Sequence, residues 1–222
     1  MLCDTARAEV ADCARRMLAD RLTVATSGNV SVRCDDLIAI TPSGVDYERM
    51  TPADVCVIDL DGRQVDGDLR PSVEVPMHTT VYRRFAAVAA VVHTHPLAAT
   101  ALSLVADELP AVHYMVALLG GPVPVVPYAT YGSQELADAS ARGLDGRSAV
   151  LLQNHGATTV GETLQHAYTR SLYLEWLCQL HAQASALGEP HILPAEEIDL
   201  VAHKLQSYGQ PSAGNPRADA RE

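Results

Sequence analysis

The 222-residue chain predicts a single α/β domain in which helices flank a central, mostly antiparallel β-sheet. Three observations carry this expectation. Apolar or alternating runs of strand length recur between segments of helical periodicity. Polar pairs such as Asp35-Asp36 separate neighbouring runs closely enough for hairpins. No internal repeat or linker interrupts residues 1–209, a length sufficient for one sizeable core. Residues 210–222 are polar, with Pro, Gly and Ser, and read as a mobile tail.

Ala8, Val10, Ala11, Ala14, Met17 and Leu18 recur at helical spacing and predict an amphipathic helix over residues 5–22. The stretch Ala25-Thr26-Ser27-Gly28-Asn29 breaks it. Val30-Ser31-Val32-Arg33 and Leu37-Ile38-Ala39-Ile40 predict a hairpin, followed by the small-residue turn Thr41-Pro42-Ser43-Gly44. A strand over 55–60 closes at Asp61-Gly62, a strong turn pair. Ser72 is placed as the N-cap of a helix to about residue 85, with Pro76 tolerated in the first turn. Residues 89–93 read as a strand, 98–105 as a helix and 123–127 as an extended, proline-bounded segment. Ser133 caps a helix to 143, and the strand 149–152 ends in the turn Gln153-Asn154-His155-Gly156. The longest helical pattern, 163–187, stops at Gly188, and a last helix covers 194–208.

Composition narrows the function. A hydrophobic share of 48% with 19% charged residues is that of a globular enzyme. The net charge of -11 argues against nucleic-acid and anionic-membrane partners. It leaves room for an anionic substrate held by backbone N–H groups and hydroxyls. Five scattered cysteines, Cys3, Cys13, Cys34, Cys56 and Cys178, contain no C-x-x-C pair. They are expected as reduced thiols in a cytoplasmic protein, with neither a disulfide framework nor a thiolate zinc site. No signal-peptide core or apolar run of spanning length occurs.

Chemistry concentrates between Arg70 and Pro96. His93 and His95 stand two apart at the end of an apolar run, so a strand would point both imidazoles to one side. Alone, the pair also fits two hydrogen-bonded residues at a strand end. His155 in a turn and the upstream Glu74 add a third nitrogen and a carboxylate, a donor set suited to a divalent metal with an exchangeable position. Glu74 reads either as a surface carboxylate in a helix's first turn or as ligand and general base. His78, one helical turn later, competes as a ligand or packs structurally. Three hydroxyl-bearing stretches, around Thr26-Ser27-Gly28-Asn29, Thr41-Pro42-Ser43-Gly44 and Ser72, form a plausible phosphate pocket that is neither a P-loop nor a G-x-G-x-x-G. Tyr114 reads as core, interface or proton donor. Tyr128, Tyr131 and Tyr208 read as packing residues with a polar tip, and Trp176 as core.

In order and spacing, these segments resemble the class II aldolase/adducin family, within it the fuculose-phosphate aldolase branch, over about residues 6–209. The likeness rests on Thr26-Ser27-Gly28-Asn29-Val30-Ser31-Val32-Arg33, Ile40-Thr41-Pro42-Ser43-Gly44, Pro71-Ser72-Val73-Glu74 and Val91-Val92-His93-Thr94-His95. It rests equally on Pro110-Ala111-Val112-His113-Tyr114-Met115, Gly120-Gly121, Pro127-Tyr128-Ala129-Thr130 and Leu151-Leu152-Gln153-Asn154-His155-Gly156. The resemblance implies zinc, with manganese or cobalt as substitutes, held by Glu74, His93, His95 and His155. It implies phosphate held around Gly28, Asn29, Ser43, Gly44 and Ser72, with Tyr131 and Tyr208 on the aldehyde side. It further implies a homotetramer with active sites between subunits, in which Tyr114 reaches a neighbour's substrate. The implied reaction is reversible cleavage of a ketose 1-phosphate such as L-fuculose 1-phosphate to dihydroxyacetone phosphate and an aldehyde such as lactaldehyde, with Glu74 and Tyr114 moving protons. The single lysine, Lys204, fits a mechanism without a Schiff base. The family usually carries two serines before the glutamate; here the second is Val73, one hydroxyl fewer toward phosphate. Alternatives within the family are a pentulose-phosphate 4-epimerase, a methylthioribulose-1-phosphate dehydratase and a non-catalytic adducin-like scaffold.

Overall fold

The computed structural model describes residues 1–207. Tyr208 and the expected tail over 210–222 lie outside the described residues. Nine strands form one sheet: β1 (Asn29–Cys34), β2 (Leu37–Ile40), β3 (Cys56–Asp59), β4 (Gln64–Asp66), β5 (Ala90–Thr94), β6 (Glu108–Leu109), β7 (Val123–Val126), β8 (Ala149–Leu152) and β9 (Gly156–Gly161). Their order is β4-β3-β2-β1-β5-β9-β8-β7-β6. Every neighbouring pair is antiparallel except β7 with β8. The expected α/β architecture is therefore present. Six α-helices are described: α1 (Asp4–Ala19), α2 (Val75–Arg84), α3 (Leu97–Ser103), α4 (Gln134–Gly143), α5 (Leu164–Leu187) and α6 (Ala195–Leu205).

Alternation along the strands explains the layers. Ile38 and Ile40 pack with Met77, Val81 and Leu136 beneath α2 and α4, whereas Ala39 between them faces Val10, Ala14 and Met17 of α1. Val150 and Leu152 join the α2/α4 side, and Ala149 and Leu151 face Leu174 and Leu177 of α5. Both faces of the sheet are thus covered, which is why its central strands read as apolar runs. None of the described helices is long and apolar enough to cross a membrane.

Several local expectations are met. Ser133 accepts from the Leu136 N–H at 3.1 Å and caps α4, and α5 ends at Gly188. Others are corrected. Helix α2 starts at Val75 with Glu74 as its N-cap, so Ser72 is not the cap. Ser72 Oγ instead accepts the Glu74 N–H at 3.2 Å, inside the turn that leads into the helix. Strand β9 was hidden by its composition, because Gly156-Ala157-Thr158-Thr159-Val160-Gly161 carries turn residues at both ends. Pairing with β5 on one side and β8 on the other forms it nonetheless.

The expectation of five reduced thiols is also corrected. Cys3 and Cys34 form a disulfide, with Cα atoms 6.1 Å apart, while Cys13, Cys56 and Cys178 are free and buried. Packing of α1 along β1 brings the residue before the helix to the end of the strand, a proximity that spacing in sequence does not reveal. Buried Arg7 secures the same corner, donating to the Leu2 carbonyl at 2.9 Å and pairing with Asp66 at 2.8 Å.

Candidate metal centre and substrate cleft

The sheet order assembles the site. Asn29 opens β1 directly opposite His93 on β5, and His93 lies opposite Thr158 on β9. His95 follows the end of β5, and His155 immediately precedes β9. Two close approaches allow this. Gly28, at φ +75°, sits where a Cβ would come within 2.8 Å of the His93 carbonyl. A Cβ at Gly156 would collide with the Thr94 carbonyl and lie 2.9 Å from the His95 ring. Asn154, also in the left-handed region at φ 56°, turns the chain so that His155 faces inward.

Glu74, His93, His95 and His155 converge, one donor atom from each lying within 4.8 Å of all the others. His93 Nε2 is 3.1 Å from Glu74 Oε2, and His155 Nε2 is 3.7 Å from Glu74 Oε1. The three imidazole rings stand nearly edge to face, with centroids 4.8 to 4.9 Å apart. His93 Nδ1 lies 3.0 Å from the Ala157 carbonyl. Donation there puts the proton on Nδ1 and leaves Nε2 as a lone pair, the usual support of a ligating histidine. Nε2 of His95 then faces Nε2 of His93 at 2.9 Å. Glu74 Oε1 is buried without a hydrogen-bond partner. A shared cation resolves both features, so the residues fit a divalent metal.

Electrostatics agree. Burial, then neighbouring His93, pushes His95 down to about 3 and His155 to about 4, so each ring is neutral at neutral pH and keeps one nitrogen lone pair for a cation. Burial opposes the Glu74 charge, but His93, the Asn29 amide and His155 outweigh it and hold the carboxyl well below the usual range.

Three of the donors, Glu74, His95 and His155, border a cleft of about 300 Å³, with His93 buried behind them. Gly28, Asn29, Ser43, Gly44, Ser72 and Val73 line it together with Glu74, His95, His155 and Tyr131, so the residues expected around phosphate, and Tyr131, share one cleft with these donors, while Tyr208 lies outside the described residues. Val73 places an apolar side chain, 55% exposed, among the hydroxyl and backbone groups. Tyr128, expected as a packing residue, is 57% exposed and lines the cleft, as does Asn154, which the sequence reading did not single out. The positions after a strand end, in Pro127-Tyr128 and Gln153-Asn154, were the available signal. Tyr114 does not reach its own cleft. It is exposed, stacks on His113 at 4.4 Å, and shares a surface groove with Leu172 and Trp176. Trp176 is 43% exposed there, which corrects its placement in the core. His78 contributes nothing to the donor cluster and is fully buried behind Asn29.

Residues 8–182 match the family described as Class II Aldolase and Adducin N-terminal domain. The chain is 38% identical over 212 residues to a 5-deoxy-D-ribulose 1-phosphate aldolase of Bacillus thuringiensis serovar kurstaki, covering 95% of this chain and 100% of the relative. It is 38% identical over 203 residues to the L-fuculose phosphate aldolase of Escherichia coli K12, covering 90% and 94%. A solved L-fuculose 1-phosphate aldolase superposes with a TM-score of 0.90 at 37% identity, covering 93% of this chain and 98% of that one. By sequence and fold, the chain belongs to the class II aldolase and adducin family.

Proposed function

We propose that this protein is a metal-dependent aldolase that reversibly joins dihydroxyacetone phosphate to a short aldehyde, yielding a deoxyketose 1-phosphate of the L-fuculose or 5-deoxyribulose type. The observation that carries this reading is the carboxylate of Glu74, with one oxygen unpartnered, set among three imidazoles at the edge of a cleft rich in hydroxyls and backbone N–H groups. The relatives named for these two substrates span nearly the whole chain.

Glu74, His93, His95 and His155 would hold zinc, with manganese or cobalt suited to the same donors. Such an ion supplies Lewis-acid stabilisation of the negative charge that builds on the substrate oxygens next to the reacting carbon. The chain's own groups do the rest. The turns at Gly28, Ser43–Gly44 and Ser72 present N–H and O–H donors to the phosphate. Ser72 Oγ already accepts from Glu74 N–H and keeps its own hydrogen for an anion. In condensation, a Glu74 oxygen takes a proton from the carbon between the carbonyl and the hydroxyl of dihydroxyacetone phosphate. The resulting enediolate carbon attacks the aldehyde carbonyl, forming the new C–C bond, and the aldehyde oxygen takes a proton from Tyr114. Exchange with solvent resets both groups, and cleavage runs the same steps in reverse. Tyr114 lines a groove separate from its own cleft, which supports its delivery by a second copy of the chain. A symmetric homotetramer with sites between subunits would deliver Tyr114 to a neighbour, and Tyr131 would border the aldehyde. Lys204 lies on α6, away from the cleft, so no Schiff base is required.

The test is cleavage of L-fuculose, L-rhamnulose, D-ribulose and 5-deoxyribulose 1-phosphates by protein stripped of metal and reloaded with zinc, manganese or cobalt. Dihydroxyacetone phosphate is read through an NADH-coupled reductase. NADH loss that depends on the metal is expected with at least one substrate, and none with any combination refutes the aldolase reading.

A further inference from the structure

Behind the cleft a buried polar chain ends on Glu74, and its members Ser31, His78 and Tyr82 take no part in the proposed chemistry. Strand β1 supplies Asn29 and Ser31, two apart and so on one face. Glu74, His78 and Tyr82 follow at intervals of four along the start and body of α2, one above another. None of the five is more than 4% exposed. Tyr82 Oη meets Ser31 Oγ at 2.8 Å, and Ser31 Oγ meets His78 Nδ1 at 2.6 Å. His78 Nε2 meets Asn29 Oδ1, and Asn29 Nδ2 donates to Glu74 Oε2 at 2.8 Å.

The carboxylate gives this chain a direction. An ionised carboxylate only accepts, so Asn29 turns its NH₂ toward Glu74 and its oxygen toward His78. The Asn29 oxygen requires a proton on His78 Nε2. The His78 ring is fully buried and its two nitrogens meet only the uncharged Asn29 and Ser31, so nothing there compensates a buried imidazolium, the ring is neutral and its Nδ1 accepts. Ser31 therefore donates to Nδ1, and Tyr82 donates to Ser31. Every hydrogen bond points at Glu74, from a tyrosine two helical turns away. Reversing Asn29 would place its oxygen against the carboxylate.

We propose that His78 is a positioning residue: held by Ser31 as the Nε2–H tautomer, it locks the Asn29 amide, and through it the Glu74 carboxylate, in the orientation that sets Oε2 beside His93 Nε2 and Oε1 toward His155 Nε2. A polar group that orients a ligand in this way contributes about 10–100-fold to metal affinity or activity. The role goes beyond filling the core, because a buried histidine is satisfied by partners in either direction, whereas this one is satisfied in a single sense that Glu74 dictates. The consequence for catalysis rests on the aldolase reading; the consequence for metal binding does not.

The test compares wild type with His78→Leu, His78→Gln and Ser31→Ala as full chains. Zinc affinity of the metal-stripped proteins is measured against a chromogenic chelator, together with kcat and KM for the ketose 1-phosphate that wild type cleaves. His78→Leu is expected to bind zinc at least tenfold more weakly and to lose kcat more than KM. His78→Gln, whose amide N–H replaces the Nε2 donor, is expected to recover most of that loss. Ser31→Ala frees the tautomer and is expected to weaken zinc several-fold. Wild-type zinc affinity in folded His78→Leu overturns the proposal, as does a His78→Gln no better than His78→Leu. Should His78→Leu fail to fold, Ser31→Ala decides, and an unchanged zinc affinity in it overturns the proposal. A wild type that binds zinc but cleaves no ketose 1-phosphate defeats the aldolase reading and leaves the zinc comparison standing. A wild type that binds no zinc defeats both.

Discussion

Val73→Ser tests the reading of the phosphate end of the cleft by adding a contact. Val73 is 55% exposed on the cleft wall between Ser72 and Glu74, so shortening it removes little packing. A surface change of this kind alters stability by no more than about 0.5 kcal/mol. A serine there restores one hydroxyl facing the proposed phosphate position. A hydrogen bond to a charged group contributes about 1.5–3 kcal/mol. Solvent competes at so exposed a position, so the lower end applies, about 1.5 kcal/mol, or about tenfold in affinity. The phosphate is bound equally in ground and transition states, so the gain falls on KM and leaves kcat nearly unchanged. The assay is the coupled measurement of dihydroxyacetone phosphate over a range of ketose 1-phosphate, with inorganic phosphate as a competitive inhibitor. KM and the inhibition constant of phosphate are both expected to fall about tenfold. If both stay at wild-type values while the melting temperature is unchanged, the phosphate does not lie beside residue 73 and the assignment of Ser43, Gly44 and Ser72 goes with it.

Glu74→Gln is expected to slow hydrogen–deuterium exchange at the carbon next to the carbonyl of dihydroxyacetone phosphate at least about a hundredfold, the scale of a lost general base; exchange at the wild-type rate by proton NMR in D₂O would assign the base elsewhere. Tyr114→Phe is expected to slow aldehyde condensation while sparing that exchange, and equal loss of both would remove Tyr114 from the late proton transfer. Acid sensitivity follows from the buried imidazoles. His78, His95 and His155 are pushed from 6.5 down to about 3, 3 and 4 in the folded chain. The unfolded chain therefore binds more protons between those values. Stability of the metal-free protein is full above about pH 6.5 and is lost as pH falls toward 4; the depressed Glu74 carboxyl acts in the same direction. Urea midpoints of the chelated protein at pH 7.5 and pH 5 check this, and a midpoint higher at pH 5 would contradict it.

Much of the site was legible because it is written in local patterns. The spacing of His93 and His95 put two imidazoles on one side of a strand end, and their rings do stand side by side. The turns at Gly28 and Gly44 supplied the cleft wall that their small residues implied. Illegible parts depended on distant pairings. Ser72 has the chemistry of an N-cap, yet one turn through Val73 and Glu74 intervenes before the helix forms, so the cap falls to Glu74. Tyr128 has the side chain of a packing residue, and only the end of β7 beside Gln153, whose Oε1 accepts the Tyr128 N–H at 3.1 Å, carries it to the cleft.

The sequence by itself determined the class of the fold, the alternation that buries both faces of the sheet, and the side chains available to a candidate metal site, because strand and helix periods and side-chain chemistry are local properties. The tertiary structure alone decided what those residues meet. The non-sequential order β1-β5-β9 puts Asn29 beside His93 and His93 beside Thr158. The packing of α1 on β1 joins Cys3 to Cys34. The packing of α2 against the sheet turns His78 from a competing ligand into the residue behind Asn29. Each of these depends on contacts between segments far apart in the chain, whose pairing is selected by burial of the whole core and not by the residues that end up touching.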